Sequence, residues 1–215
     1  MTMTEALEED ARVRSAPEAW LVKRFVVPSS RLAELGDADL PLAIVLDAPY
    51  AGGDRRVQAV EARPGADPAA VDGLAPEVYV ELPADLERLA ALGLRAKVRC
   101  GGEAVPSVEE VARVVRRCRQ LRLVFKATAG LHHAVRAHGG HGFLNLLAAS
   151  VFGDDEAALG EEDASAFTLD AAAFGWRDRR ATAAEVADVR ERLFAGFGSC
   201  SVAEPVAELR ALAML

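Results

Sequence analysis

Short runs of apolar residues, many alternating with polar ones, fill the first two thirds of the chain and are bounded by glycine, proline and other turn residues. Apolar runs of about four to eight residues between turn signals are typical of β-strands. The pattern predicts strands at 22–28, 41–49, 57–65, 77–83, 95–102, 122–130 and 167–170.

Between and after these runs, apolar residues recur at the three- to four-residue spacing of an amphipathic helix. Several of these segments begin at a serine or threonine followed three residues later by glutamate, as in Ser107 with Glu110, which is the sequence sign of a helix start. Helices are predicted at 29–36, 85–93, 106–121, 143–152, 182–197 and 202–215.

Strands that alternate with helices favour a parallel sheet. We therefore expect an α/β fold, a TIM-like βα-barrel reduced to about seven strands, because a full barrel typically needs about 250 residues. The alternative is an open doubly wound parallel sheet, although the G-x-G-x-x-G pattern of dinucleotide-binding sheets is absent. Residues 1–20 are acidic and are predicted to form an N-terminal arm, and residues 21–215 a single barrel-like domain.

Composition narrows the class of partner. The net charge of −8 offers no basic stripe for a phosphate backbone, so a nucleic-acid partner is not expected. No apolar run approaches the roughly 18 residues of a membrane span, so no membrane partner is expected either. Three scattered cysteines do not make a disulfide framework, and the expected location is the reducing cytoplasm.

Polar side chains gather near the C-terminal ends of the predicted strands, which is the end where α/β sheets and barrels place their sites. Alternation puts these side chains on the face opposite the apolar ones. They are Asp47, Glu61, Glu81, Lys97, Arg99, Lys126 and Thr128. We expect them to line one cavity, and the alternative is a structural network of charges that neutralise one another.

Lysine is rare in this chain, with three lysines beside 22 arginines, a bias that indicates a GC-rich, bacterial genome. Lys97 and Lys126 lie on consecutive predicted strands. Like charges disfavour each other, so one of the two should lose its proton more easily and act as a neutral amine. A neutral lysine amine attacks carbonyl groups to form a Schiff base, which arginine cannot do.

The segment FKATAG (125–130) is similar to the Lys-Thr-Ser-Thr-Gly strand of the deoxyribose-phosphate aldolase family of barrels. This resemblance implies that Lys126 is the imine-forming residue. A second lysine on a neighbouring strand tunes the first in that family, and Lys97 would be its functional analogue, although it lies on the preceding strand. Ala127 and Ala129 depart from the motif.

A wider resemblance covers most of the chain. VVPSSRL, VYVELP, AKVRCGG, FKATAGLHH, HGFLN and FGSCSVAEP look like landmarks of an uncharacterised bacterial family of predicted βα-barrels. Members of that family usually carry a proline after the paired histidines, where this chain has Ala134. The likeness supports the barrel and the site without implying a reaction.

All four histidines lie between residues 132 and 141. His132 or His133 is a candidate general acid or base near neutral pH. A second chemistry is open, because imidazoles together with carboxylates such as Glu61 or Glu81 can hold a divalent metal. The spacing matches no established zinc signature, and no metal is predicted.

The turn Gly101-Gly102 could cradle an anion with main-chain N–H groups, and Arg99 makes a carboxylate or phosphate substrate plausible. Asn145 could aim its amide at the same site. Plain strand-to-helix geometry and a buried hydrogen bond are the structural alternatives for these residues.

These observations predict a lyase or aldolase-type enzyme that acts on a small anionic carbonyl compound and needs no cofactor. The predicted catalytic residues are Lys126, Lys97, Glu81, His132 and His133, and the predicted substrate-binding residues are Arg99, Thr128, Asp47, Glu61, Asn145, Gly101 and Gly102. The alternatives are a metal-dependent hydrolase or lyase, and a barrel that binds a metabolite or protein without catalysis. The apolar C-terminal helix could serve such a partner or a homodimer.

Overall fold

The computed structural model describes residues 2–199 and 201–215. Contacts between residues divide the chain into two compact units, Met1–Ala84 and Asp85–Leu215. The predicted single domain over 21–215 stays a prediction.

The first unit begins with a helix and continues with four strands. Its elements are α1 (Met3–Arg14), a 3-10 helix (Ala19–Leu21), β1 (Phe25–Pro28), a 3-10 helix (Ser29–Leu35), β2 (Leu42–Val45), β3 (Val57–Ala62), α2 (Pro68–Val71) and β4 (Glu77–Glu81). The four strands pair in parallel in the order β1-β2-β3-β4. Strands that follow one another in the chain therefore lie side by side in this part of the sheet.

The second unit combines a parallel sheet with a small antiparallel one. Its elements are α3 (Leu86–Ala91), β5 (Arg95–Arg99), α4 (Val108–Leu121), β6 (Phe125–Thr128), α5 (Phe143–Phe152), α6 (Asp155–Gly160), a 3-10 helix (Ala164–Ala166), β7 (Phe167–Leu169), β8 (Ala173–Trp176), β9 (Arg179–Thr182), α7 (Ala183–Arg192), β10 (Phe194–Gly198) and α8 (Ala203–Ala211). Strands β5-β6-β10 pair in parallel, and β7-β8-β9 pair antiparallel.

Helix α4 shows how the sequence produces these elements. Ser107 accepts a hydrogen bond from the Glu110 N–H while the Glu110 carboxylate accepts one from the Ser107 N–H, which satisfies two otherwise unpaired donors at the helix start. Val111, Val115 and Cys118 recur at three- to four-residue spacing and are buried. The predicted segment 106–121 thus forms a helix for the expected reasons.

One predicted helix is wrong in its last part. The segment 182–197 was expected to be helical throughout, whereas α7 ends at Arg192 and residues 194–198 form β10 beside β6. The ring of Phe194 lies 5.2 Å from that of Phe125, so strand pairing and burial outweigh the local helical pattern. Strands β8 and β9 were not predicted either.

Parallel pairing within each unit confirms the α/β class with parallel sheets. Among the described residues, the parallel strands of each unit follow their order in the chain. Of the helices among the described residues, none has the length and apolar character that a membrane span requires.

Candidate functional site

Lys97 and Lys126 are direct partners in the register of β5 and β6. Neighbouring strands lie about 4.8 Å apart, so the two side chains leave the same face at the same level. Lys97 is only 4% exposed, and Lys126 is half-buried. Each lysine also has an interaction partner, so neither charge stands alone.

Strand β10 lies on the other side of Lys126 and carries glycines at two register positions. Gly196 is the register partner of Lys126, and Gly198 is the partner of Thr128. A Cβ atom at Gly198 would lie 3.4 Å from the Thr128 methyl group, and one at Gly196 would meet nothing closer than 4.0 Å. The strand next to Lys126 therefore contributes main chain and no side chain at both levels of this face.

One level towards the C-terminal ends of the strands, Arg99 is the register partner of Thr128. Arg99 is exposed, and its guanidinium folds beside Gly102, where an added Cβ would lie 3.1 Å from a guanidinium nitrogen. The Oγ1 atom of Thr128 is buried without a hydrogen-bond partner among the described residues. This level therefore combines a cation with an unused hydroxyl group.

The opposite face of the same strands is apolar. It carries Ala96, Val98, Phe125 and Ala127, all buried. On β10 the ring of Phe197 stacks on that of Phe143 of α5 at 4.7 Å. Burial of this face fixes which side of the sheet the lysines occupy, because a one-residue slip would exchange the two sets.

Gly101 and Gly130 hold the ends of β5 and β6 together. A Cβ at Gly101 would lie 2.6 Å from the Cα atom of Gly130, a distance that only glycine avoids. Gly101 is therefore needed where the main chains of the two segments approach closely. The anion cradle predicted at Gly101 and Gly102 stays a prediction.

Two glutamates of α8 contact the paired histidines, and sequence reasoning missed both. His132 Nδ1 lies 3.0 Å from Glu204 Oε2, and His133 Nδ1 lies 2.6 Å from Glu208 Oε1. The main-chain N–H of Ala134 donates to the second oxygen of Glu208. The available signal was the four-residue spacing of the two glutamates, which places them on one face of a helix.

The remaining histidines differ in exposure. His138 is exposed, and its ring lies 5.8 Å from that of His133. His141 is fully buried, and its Nε2 atom lies 2.8 Å from the Pro106 carbonyl oxygen, to which it donates. Burial lowers the pKa of His141, which favours the neutral imidazole, and its Nδ1 atom is buried without a hydrogen-bond partner among the described residues.

In the first unit, Asp47 is exposed, and its carboxylate is hydrogen-bonded to two serines that follow β1. Its carboxylate accepts hydrogen bonds from the Ser30 hydroxyl at 2.6 Å, the Ser30 N–H at 2.9 Å and the Ser29 hydroxyl at 3.0 Å. These bonds, those from Ser30 first, lower the pKa of Asp47 to about 2. Asp47 thus fastens the end of β2 to the turn after β1, and its predicted contact with a substrate stays a prediction.

Glu61 and Glu81 are buried charged residues of the first unit, at 3% and 7% exposure. Glu61 is the register partner of Tyr79 on β4. Both glutamates have interaction partners, so their burial does not leave an unpaired charge. The prediction that all seven polar strand residues line one cavity stays a prediction.

Asn145 lies fully buried at the start of α5. Its amide oxygen accepts from the Arg136 N–H at 2.7 Å, and its amide nitrogen donates to the carbonyl oxygens of Ala158 and Glu161, both at 2.8 Å. The contacts seen for this amide are therefore to main-chain groups, and its predicted role in substrate binding stays a prediction.

Two cysteines can be assessed as nucleophiles. Cys100 and Cys118 are free and buried, and burial raises the pKa of each thiol to about 12, so neither is a ready thiolate. Cys200 lies outside the described residues. Among residues 2–199 and 201–215, no three His, Cys, Asp or Glu side chains converge as metal ligands.

Comparison with known proteins does not identify a family for this chain. Searches of the protein-family models, the curated proteins and the solved structures found no significant match to this chain.

Proposed function

We propose that this protein is a lyase or aldolase-type enzyme that acts on a small anionic carbonyl compound through an imine on Lys126. The observation that carries the proposal is the register of β5 and β6, which sets Lys126 beside Lys97. A lysine amine attacks a carbonyl carbon through its nitrogen lone pair, which makes Lys126 a candidate imine-forming residue. The amine nitrogen bonds to the carbonyl carbon, and the carbonyl oxygen leaves as water.

Gly196 and Gly198 remove side chains from the positions beside Lys126 and Thr128. A larger residue at Gly198 would press against the Thr128 methyl group, and one at Gly196 would extend towards the Arg190 guanidinium. The two glycines are consistent with a ligand that lies along β6.

The anionic part of the substrate is assigned to the level of Arg99 and Thr128. Strand residues rise about 3.3 Å each, so this level lies roughly 6–7 Å from the lysine level. That spacing suits a short carbon chain with a carbonyl at one end and a carboxylate or phosphate at the other. The unused Thr128 hydroxyl could hydrogen-bond to such a ligand.

The finer fold assignment belongs to the same proposal. A βα-barrel is supported by the strand order within each unit, where successive parallel strands lie side by side. The proposal also includes membership of the bacterial barrel family suggested by FKATAGLHH and HGFLN. It further includes a cytoplasmic location and a homodimer.

Reductive trapping tests the proposed chemistry. Borohydride added with pyruvate, glyceraldehyde 3-phosphate or acetaldehyde should leave a stable secondary amine, and peptide mapping should find it on Lys126. Lys126→Arg should abolish the adduct, because a guanidinium group does not attack a carbonyl, and Lys97→Met should slow its formation several-fold.

Lys23 provides an internal control, because its side chain is 69% exposed and lies on the first unit. An adduct on Lys23 alone, or trapping that survives Lys126→Arg, would reject the imine on Lys126.

A further inference from the structure

The two histidine–glutamate pairs after β6 differ in how firmly the carboxylate is held. The Glu208 carboxylate uses one oxygen for His133 Nδ1 and the other for the main-chain N–H of Ala134. The Glu204 carboxylate contacts His132, and no main-chain N–H among the described residues donates to it. Both side chains of that pair are about half exposed, Glu204 at 53% and His132 at 49%. The His133 pair is more enclosed, at 36% and 35%.

The fixed carboxylate selects one form of the His133 ring. A carboxylate only accepts hydrogen bonds, so the ring nitrogen that faces it must carry the proton. With the proton on Nδ1, the neutral ring keeps its lone pair on Nε2. A histidine oriented by a carboxylate in this way is the usual arrangement of a general base.

The pair also belongs to segments that follow the strands of the candidate site. His133 belongs to the loop that leaves the C-terminal end of β6, the strand of Lys126. Helix α8 follows β10, the strand that provides Gly196 beside Lys126. The contact between His133 and Glu208 therefore ties together the segments that follow two adjacent strands of the candidate site, on the edge where parallel sheets place their sites.

We propose that Glu208 is a positioning residue that holds His133 as its Nδ1–H tautomer, so that Nε2 can accept a proton from a substrate bound to Lys126. This inference rests on the proposed function of Lys126. In the step concerned, the C–H bond next to the iminium carbon breaks and its proton goes to Nε2. The electron pair of that bond forms a carbon–carbon double bond, and the C=N pair moves to the nitrogen, which gives a neutral enamine.

The tautomer can be measured without any substrate. Nitrogen-15 NMR of histidine-labelled protein, at a pH where His133 is neutral, should show the proton on Nδ1 in the wild type. Glu208→Gln should shift His133 towards a mixture of tautomers, because the amide can donate as well as accept. Glu204→Gln is the matched control and should leave the His133 signals unchanged. A wild-type His133 with its proton on Nε2 would overturn the inference.

The reaction itself provides a second readout. Exchange of the pyruvate methyl protons for deuterium in D2O requires both the imine and the base, whereas borohydride trapping requires the imine alone. Glu208→Gln should slow exchange about tenfold or more while trapping stays near the wild-type level. Glu204→Gln should change neither rate, and Lys126→Arg should abolish both.

The possible outcomes separate the two proposals. Equal loss of trapping and exchange in Glu208→Gln, or no change in either, would overturn the role of Glu208 and leave the imine on Lys126 intact. Absence of any wild-type adduct would instead reject the proposed function and, with it, the proton transfer to His133, whatever tautomer the NMR experiment finds.

Discussion

In the first unit the Asp47 carboxylate is hydrogen-bonded to the 3-10 helix that follows β1, whereas in the second unit Lys126 lies beside a second lysine on one strand face. The Asp47 carboxylate accepts three hydrogen bonds from Ser29 and Ser30. Lys126 lies in register with Lys97 and beside the unused hydroxyl of Thr128. Both regions are polar strand ends, and they differ in the Thr128 hydroxyl, which is buried without a hydrogen-bond partner among the described residues.

Hydrogen-bonding capacity separates polar groups with a structural role from polar groups of a candidate site. A polar group whose hydrogen-bonding capacity is used by the chain contributes to stability, because removing it leaves its partners unsatisfied. A polar group that is buried with unused capacity costs stability, and such groups cluster at functional sites. Asn145 belongs with Asp47 in this respect, since its amide serves three main-chain groups.

The largest expected effect is that of Asn145→Ala. The substitution leaves the Arg136 N–H and two carbonyl oxygens without their partner inside the second unit, and it should lower the free energy of unfolding by about 3–5 kcal/mol. Urea denaturation measures this change. The control is Ser150→Ala at the other end of α5, where one hydroxyl bond to the Leu146 carbonyl is lost, and it should cost about 1 kcal/mol. Equal effects of the two variants would show that the three hydrogen bonds of Asn145 do not make a special contribution to stability.

A smaller, pH-dependent effect is expected at Asp47. Its pKa of about 2 in the folded protein lies below the usual value of about 4, so its contribution is present above about pH 4 and is lost as the pH falls towards 2. Thermal melts should therefore show that wild type exceeds Asp47→Asn in melting temperature at pH 5, and that the gap closes by about pH 2.

Asp72→Asn is the matched control for Asp47, because Asp72 is also exposed on the first unit and has no side-chain hydrogen bond among the described residues. Its melting temperature should follow the wild type across this pH range. A gap for Asp47→Asn that is independent of pH would show that the charge of Asp47 does not stabilise the fold.

The smallest effect on stability is expected for Thr128→Val. The substitution removes a hydroxyl whose Oγ1 is buried without a partner, so the free energy of unfolding should stay within about 1 kcal/mol of wild type or rise slightly. Thr182→Val, which removes the capping hydroxyl at the start of α7, should cost about 1 kcal/mol in the same urea experiment. A clear loss of stability for Thr128→Val would show that the Thr128 hydroxyl stabilises the fold.

Local patterns predicted most of the elements because their causes lie within a few residues. The capping pair Ser107 and Glu110 and the apolar spacing after it are enough to predict α4. Strand alternation likewise separates Lys126 from Phe125 and Ala127 without knowledge of the fold. Where a competing local signal was strong, as in the helical pattern that runs into 194–198, the prediction failed because pairing with β6 decides the structure there.

Local sequence patterns are enough to predict most of the strands and helices, and to place Lys97 and Lys126 on the side of their strands opposite the apolar residues. Three features come from the folded structure instead: the two lysines are register partners, Gly196 lies beside Lys126, and Glu208 contacts a histidine 75 residues earlier in the chain. The physical reason is range. Caps and alternation depend on neighbours in sequence, whereas strand register and helix docking depend on which apolar faces can be buried together.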